Sequence, residues 1–217
     1  MKSFLFVTRC LGIWASLCLV MLFIFVAAPT VAGLVIQKDI RLAGDESVVV
    51  KIHPANGNRL LLWLPSEYGF VDETNDLANK LAALGVEVWR ADLLAAHFLP
   101  PLPSSIQQVP VADIAVVINQ AVSIKGKTVT VFADGRGAVL ALRGAKYWQQ
   151  AVKTPHTRSL TGAVLLSPNL YVETPPPGQE AQYLPVVGQS TINSIILQPQ
   201  MSPWFWWRDR LQARLQQ

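Results

Sequence analysis

Short apolar runs alternate with longer amphipathic stretches from residue 34 to the end of the chain. The run 59–64, RLLLWL, is almost continuously apolar, which is typical of a strand covered on both faces of a sheet. Turn-forming residues separate the runs, as at 43–45 and 55–58. The predicted strands are 34–42, 47–53, 59–64, 86–90, 128–132, 162–166 and 191–197.

Helical spacing characterises the segments between most of these strands. Leu77, Leu81 and Leu84 recur at i, i+4 and i+7 and predict a helix from about residue 72 to residue 84. A final helix is predicted to begin at Ser202, which has the side chain of an N-cap residue. Other predicted helices are 111–122 and 137–150, the long loops are 93–110 and 168–188, and the last helix places Trp204, Trp207, Leu211 and Leu215 on one face.

Strands that alternate with helices predict parallel β-α-β units with right-handed crossovers. The first two predicted strands have no helix between them and therefore suggest an antiparallel edge. The predicted fold class is α/β, a mostly parallel sheet flanked by helices on both faces. Residues 33–217 are long enough to form this sheet as one domain.

The first 32 residues have a different character. Lys2 and Arg9 are the only charges before Lys38, and the segment 11–28 is almost wholly apolar. This pattern is typical of an export signal, and the small residues 30–32 suit a cleavage site. The apolar length also approaches the roughly 20 residues that span a bilayer. We expect 1–32 to be a hydrophobic helix, either a signal peptide or a membrane anchor, that exports the domain to the periplasmic or extracellular face of the inner membrane.

Composition limits the classes of partner. Without Lys2 and Arg9 the chain has 16 basic and 14 acidic residues, and it has no basic cluster, so no nucleic-acid partner is expected. Both cysteines, Cys10 and Cys18, lie in the leader, which leaves the domain without a disulfide or a thiol. Three scattered histidines and the absence of a phosphate-binding glycine loop predict neither a metal nor another cofactor.

The segment 128–138, TVTVFADGRGA, reads as a buried strand, a tight turn and the start of a helix. Residues 133–137 have the spacing of the G-x-S-x-G elbow, with small residues at both outer positions and Gly135 at the serine position. On these residues the stretch from 59 to about 197 resembles the α/β-hydrolase superfamily. Glycine can adopt the strained backbone conformation of the elbow, but it has no hydroxyl group. The resemblance therefore implies a degenerate member of the superfamily that lacks the nucleophile serine.

The other catalytic positions of that superfamily are also unmatched. Its order is nucleophile, acid and then a histidine near the C-terminus. His53 and His97 precede the elbow, and His156 comes before the next predicted strand. The segment 198–201, after the last predicted strand, holds no carboxylate. The superfamily's sheet usually continues with another strand, so the chain is expected to be a natural short form, a C-terminally truncated fragment or half of an interface.

The resemblance places a binding pocket at the carboxyl ends of the strands. Backbone N–H groups at the helix start in the elbow are suited to an anion. Ser66 is a conceivable displaced nucleophile, although a loop serine is typical of a turn. No catalytic residue is assigned, and the candidate ligand-binding residues are Ser66, Glu67, Tyr68, His97, Asp134, Gly135, Arg136 and Gly137.

Three functions remain open at this point. The favoured one is a non-enzymatic binding or accessory module of the cell envelope, with an unknown small ligand or protein partner. The second is an ester hydrolase whose site is rearranged, with His97 as base, or completed by a partner chain. The third is an envelope assembly protein that uses its last helix and an open sheet edge. Membrane contact is expected through the N-terminal helix.

Overall fold

The structure, a computed structural model, describes residues 34–151, 159–174, 179–202 and 204–216. Its strands are β1 Ile36–Arg41, β2 Ser47–His53, β3 Arg59–Trp63, β4 Val86–Ala91, β5 Thr128–Asp134, β6 Leu160–Leu166 and β7 Ser194–Leu197. Its α-helices in those ranges are α1 Asp72–Ala83, α2 Leu93–Ala96, α3 Val111–Val122, α4 Gly137–Ala151 and α5 Arg208–Leu215.

The seven strands form a single sheet in the order β1-β2-β4-β3-β5-β6-β7. The pairs from β4 to β7 are all parallel, whereas β1 pairs with β2 and β2 pairs with β4 in antiparallel register. This confirms the predicted α/β class, the mostly parallel sheet and the antiparallel edge. In addition, β2 lies against β4 although β3 separates them in sequence.

Helices cover both faces of the sheet, as predicted. Alternate residues of the central strands point to opposite sides, so Leu62 and Val131 enter one apolar cluster while Trp63 and Phe132 enter another. The larger cluster includes buried residues of α3, α4 and α5. The smaller one includes Ala78 of α1. Both clusters lie within Gly33–Gln217, which forms one compact unit with its own core.

Two element predictions were wrong in detail. The last α-helix begins at Arg208 and not at Ser202, because Phe205–Trp207 form a 3₁₀ turn before it. The predicted loop 93–110 contains the short helix α2, which Asp92 caps by accepting a hydrogen bond from the Ala95 N–H at 3.0 Å.

Among the residues that the structure describes, no helix has the length and apolar character needed to cross a bilayer. The predicted leader 1–32 and His156 lie outside the described residues.

Candidate functional site

The elbow predicted at 133–137 is a sharp turn from β5 into α4. Gly135 has φ +54°, a left-handed conformation that suits glycine. Its N–H donates to the Leu166 carbonyl at 3.1 Å, and its carbonyl accepts from the Asn169 N–H at 3.0 Å. These two bonds hold the turn against the end of β6, so Gly135 is fixed at the carboxyl edge of the sheet.

The loop after β3 crosses the start of α4 at Gly137. A β-carbon at residue 137 would collide with the Pro65 carbonyl and would lie 3.2 Å from Ser66 Cα. Glycine is therefore required here by close backbone approach, although its φ is ordinary. This approach brings Glu67, two residues after Pro65, over the elbow.

The Glu67 side chain is inserted into the elbow. Glu67 Oε2 accepts a hydrogen bond from the Arg136 N–H at 2.6 Å. The Glu67 Cδ atom lies 3.1 Å from the position of a β-carbon at residue 135, and Oε2 lies closer still. Glu67 is only 5% exposed. Its carboxylate thus occupies the volume where a side chain at the centre of the elbow would lie, beside the start of α4, where a negative charge is favourable.

Asp134 and Ser66 lie beside this carboxylate. The pKa of Asp134 is raised overall. Burial is the main cause and the charge of Glu67 adds to it, whereas hydrogen bonds with Trp63, with the Asp134 backbone and with Ser66 act in the opposite direction. Trp63 Nε1 lies 3.5 Å from Asp134 Oδ1. The Ser66 hydroxyl donates to the Gly69 carbonyl and accepts from the Tyr68 N–H, both at 3.2 Å. Ser66 is therefore a turn residue with a carboxylate nearby.

His97 contacts a different part of the fold. Its Nε2 lies 3.1 Å from Asp113 Oδ2, and both side chains are largely buried. The other carboxylate oxygen of Asp113 accepts from the Ala43 N–H at 2.8 Å. The polar contact that the structure shows for His97 is thus to α3 and not to the elbow.

The remaining candidates form the rim of the elbow. Tyr68 is 71% exposed. Arg136 is half-buried, and its Nη2 donates to the Tyr171 carbonyl at 3.4 Å. The structure therefore brings Ser66, Glu67, Asp134, Gly135, Arg136 and Gly137 together, with Tyr68 beside them.

The ends of β6 and β7 carry polar residues that the sequence analysis did not select. Gln198, directly after β7, donates from Nε2 to Ser167 Oγ at 3.0 Å and to Ser202 Oγ at 2.6 Å. Ser167 has φ +46° and donates its N–H to the Leu197 carbonyl. The position after β7, where the superfamily has its acidic residue, is thus occupied by the amide of Gln198, which bonds the hydroxyls of Ser167 and Ser202. Its position after a strand was the signal available in the sequence.

No protein-family model matches this sequence, and no curated protein is similar to it in sequence. The structure is similar to solved structures. A proposed dienelactone hydrolase from Klebsiella pneumoniae matches with a TM-score of 0.52 and 14% identity, over 85% of this chain and 81% of that one. Carboxyl esterase 2 from Tuber melanosporum gives a TM-score of 0.57 and 12% identity, over 88% and 74%. A cold-adapted esterase from an Arctic intertidal metagenomic library gives 0.53 and 13%, over 82% and 77%.

These neighbours are α/β-hydrolase folds. The chain therefore has the α/β-hydrolase fold that the segment 128–138 predicted. At these identities the likeness concerns the fold alone, and the function has to be argued from the site.

Proposed function

We propose that this chain is an exported α/β-hydrolase-fold protein without a catalytic triad, and that it acts as a binding or accessory module of the cell envelope. The observation that carries the proposal is the Glu67 carboxylate, which lies at the side-chain position of Gly135 and accepts the Arg136 N–H.

Acyl transfer in this fold needs a nucleophile at the elbow and a donor for the developing oxyanion. The residue after the nucleophile supplies one such donor from its backbone N–H. Here the corresponding donor, Arg136 N–H, is already bonded to a carboxylate. A negative charge fixed in the place where negative charge would develop opposes the transition state. The elbow therefore lacks the attacking group and has its donor occupied.

The other two triad functions lack support among the described residues. The polar contact of His97 is with Asp113 of α3 and not with a residue of the elbow, and the segment after β7 offers the amide of Gln198. Export rests on the leader, in which the basic residues Lys2 and Arg9 precede the apolar segment 11–28. An exported domain of this fold that lacks a catalytic triad is best suited to act by binding a ligand or a protein partner.

A second candidate is an ester hydrolase that uses Ser66. It is favoured by one observation, the position of Asp134 beside Ser66, where burial raises the pKa of the Asp134 carboxyl. The Ser66 hydroxyl is nevertheless already bonded to the Gly69 carbonyl and the Tyr68 N–H of the same turn. The side chain of Tyr68 is exposed and does not supply a general base for Ser66.

Turnover of short-chain p-nitrophenyl esters by purified Gly33–Gln217 separates the two candidates. We expect no rate above buffer from this domain or from its Ser66→Ala variant. Ser104→Ala is the control, since Ser104 is a loop serine outside the candidate site, although it is exposed whereas Ser66 is only 4% exposed. Ester hydrolysis that Ser66→Ala abolishes and Ser104→Ala preserves would show an enzyme with a relocated nucleophile, and the binding proposal would then be wrong.

A further inference from the structure

A groove of about 440 Å³ follows one side of α4. Val139, Arg143, Lys146, Tyr147 and Gln150 line it at positions i, i+4, i+7, i+8 and i+11, which lie on one face of the helix. This stripe is about 16 Å long at the rise of an α-helix. The segment 184–189 and the start of α3 form the two walls.

Two cations lie along this groove, and their polar partners are neutral. Arg143 Nη1 donates to the carbonyls of Ile106 and Gln107 at 3.4 and 3.3 Å. Lys146 Nζ donates to Gln189 Oε1 at 3.1 Å. No carboxylate is among the described residues that line the groove. Arg143 is half-buried, and burial lowers its pKa, although guanidinium stays charged at neutral pH. A charged partner would therefore be favourable beside these two cations, and it must be an anion.

The walls beside these cations are apolar. Val111 lies on one side, and Leu184 and Val186 lie on the other, while Val139 forms part of the floor. All of Val111, Leu184 and Val186 are only partly buried. A purely polar anion would leave this apolar surface in contact with water, whereas an anion with an alkyl chain would cover it. The volume is within the range of about 300–1,000 Å³ that is usual for sites of small ligands.

We propose that this groove binds a free fatty acid, with the carboxylate between Arg143 and Lys146 and the alkyl chain along Val111, Leu184 and Val186. The residues that line the groove are not those of the Glu67 elbow, so this proposal does not rest on turnover there.

The test is calorimetric titration of Gly33–Gln217 with decanoate and with decanamide, its uncharged counterpart. We expect decanoate to bind at least about tenfold more tightly than decanamide, because a charge-assisted bond to the two cations is worth that much. The double variant Arg143→Gln, Lys146→Gln should weaken decanoate binding by at least about tenfold. Lys80→Gln, on the exposed side of α1, is the control and should leave binding unchanged.

Thermal unfolding of each variant establishes that it is folded, and Arg143→Lys, which keeps the charge, should retain most of the affinity. The proposal is overturned if decanoate and decanamide bind equally, if neither binds, or if the double variant binds decanoate as the parent does. It is also overturned if a hexaglutamate peptide binds more tightly than decanoate, since the groove would then select charge alone.

Discussion

At the residue scale, the informative feature is one pair of residues that are far apart in sequence. Gly135 provides a left-handed turn and an empty volume, and Glu67 fills that volume with a carboxylate. A hydrogen bond from a backbone N–H to a charged group is worth about 1.5–3 kcal/mol when it replaces water. The pair therefore stabilises the elbow, and under the proposed function it also blocks the chemistry that the elbow serves in hydrolases.

Substitution of Gly135 by alanine tests this pair. The left-handed backbone alone costs an L-residue about 1–2 kcal/mol. Gly126 has φ +78° with open space around its β-carbon position, so Gly126→Ala measures this backbone cost without a clash. We expect Gly135→Ala to lower the free energy of unfolding, measured in urea, by clearly more than Gly126→Ala does. The difference between the two losses of unfolding free energy should become smaller when both substitutions are made in a Glu67→Ala variant. Equal losses in all these variants would mean that Glu67 does not occupy the elbow.

Asp134 makes the stability of the domain depend on pH. Burial raises its pKa above the ordinary value of 3.8, so the folded state keeps the proton to higher pH than the unfolded chain does. The contribution to stability is complete below pH 3.8 and is lost as the pH rises through the folded pKa.

The variant Asp134→Asn carries no charge at any pH and retains an acceptor for Trp63. We therefore expect it to be more stable than the parent at pH 7 and to match the parent below pH 3.8, with thermal unfolding as the measurement. Asp76→Asn, at an exposed position of α1, should show no such convergence. A constant difference between Asp134→Asn and the parent across this range would contradict the assignment.

At the element scale, the edge strand β7 is less open than the sequence analysis expected. Two of its backbone groups, the Ser194 carbonyl and the Ile196 N–H, have a side-chain partner. Gln212 of α5 satisfies both, since its Nε2 donates to Ser194 O at 2.8 Å and its Oε1 accepts from Ile196 N at 3.2 Å. One side-chain amide takes the place of a neighbouring strand, and this weakens the case for assembly through the β7 edge.

Loss of this amide should expose the edge. We expect Gln212→Ala to lower the free energy of unfolding by about 1–3 kcal/mol, because two buried backbone groups lose their partner, and to increase self-association. Gln216→Ala, one turn later and exposed, is the matched control. Sedimentation velocity and urea unfolding measure the two effects. If the two variants behave alike, Gln212 does not protect the edge.

The elements also show why some predictions succeeded. Continuous apolar runs such as 59–64 predicted the central strands, because a strand covered on both faces has few alternatives. The turn after β5 was predicted from the spacing of small residues alone. The last helix was misplaced because Trp204 and Trp207 pack on the core from a 3₁₀ turn, and periodicity does not distinguish this from a longer α-helix.

At the scale of the whole molecule, local patterns determined the sheet and the elbow but not the contents of the site. The sequence identified Glu67 only as one residue of a candidate loop. Its contact with Arg136 depends on the conformation of the loop after β3, which has no periodic signal. The pairing of His97 with Asp113 likewise joins a loop to a helix across the fold. Such long-range contacts decide the chemistry, and the three-dimensional arrangement was needed to find them.

Export is the last prediction, and the absence of cysteine from residues 33–217 provides a clean assay for it. A single cysteine introduced as Gln216→Cys, at an exposed position, is the only thiol of the domain. We expect a membrane-impermeant maleimide to label it in intact cells or spheroplasts, because the basic residues before the segment 11–28 keep the N-terminus inside. Labelling that occurs only after lysis would place the domain inside. The mass of the labelled chain then distinguishes the two forms of the leader, since cleavage removes Cys10 and Cys18 whereas an anchor retains them.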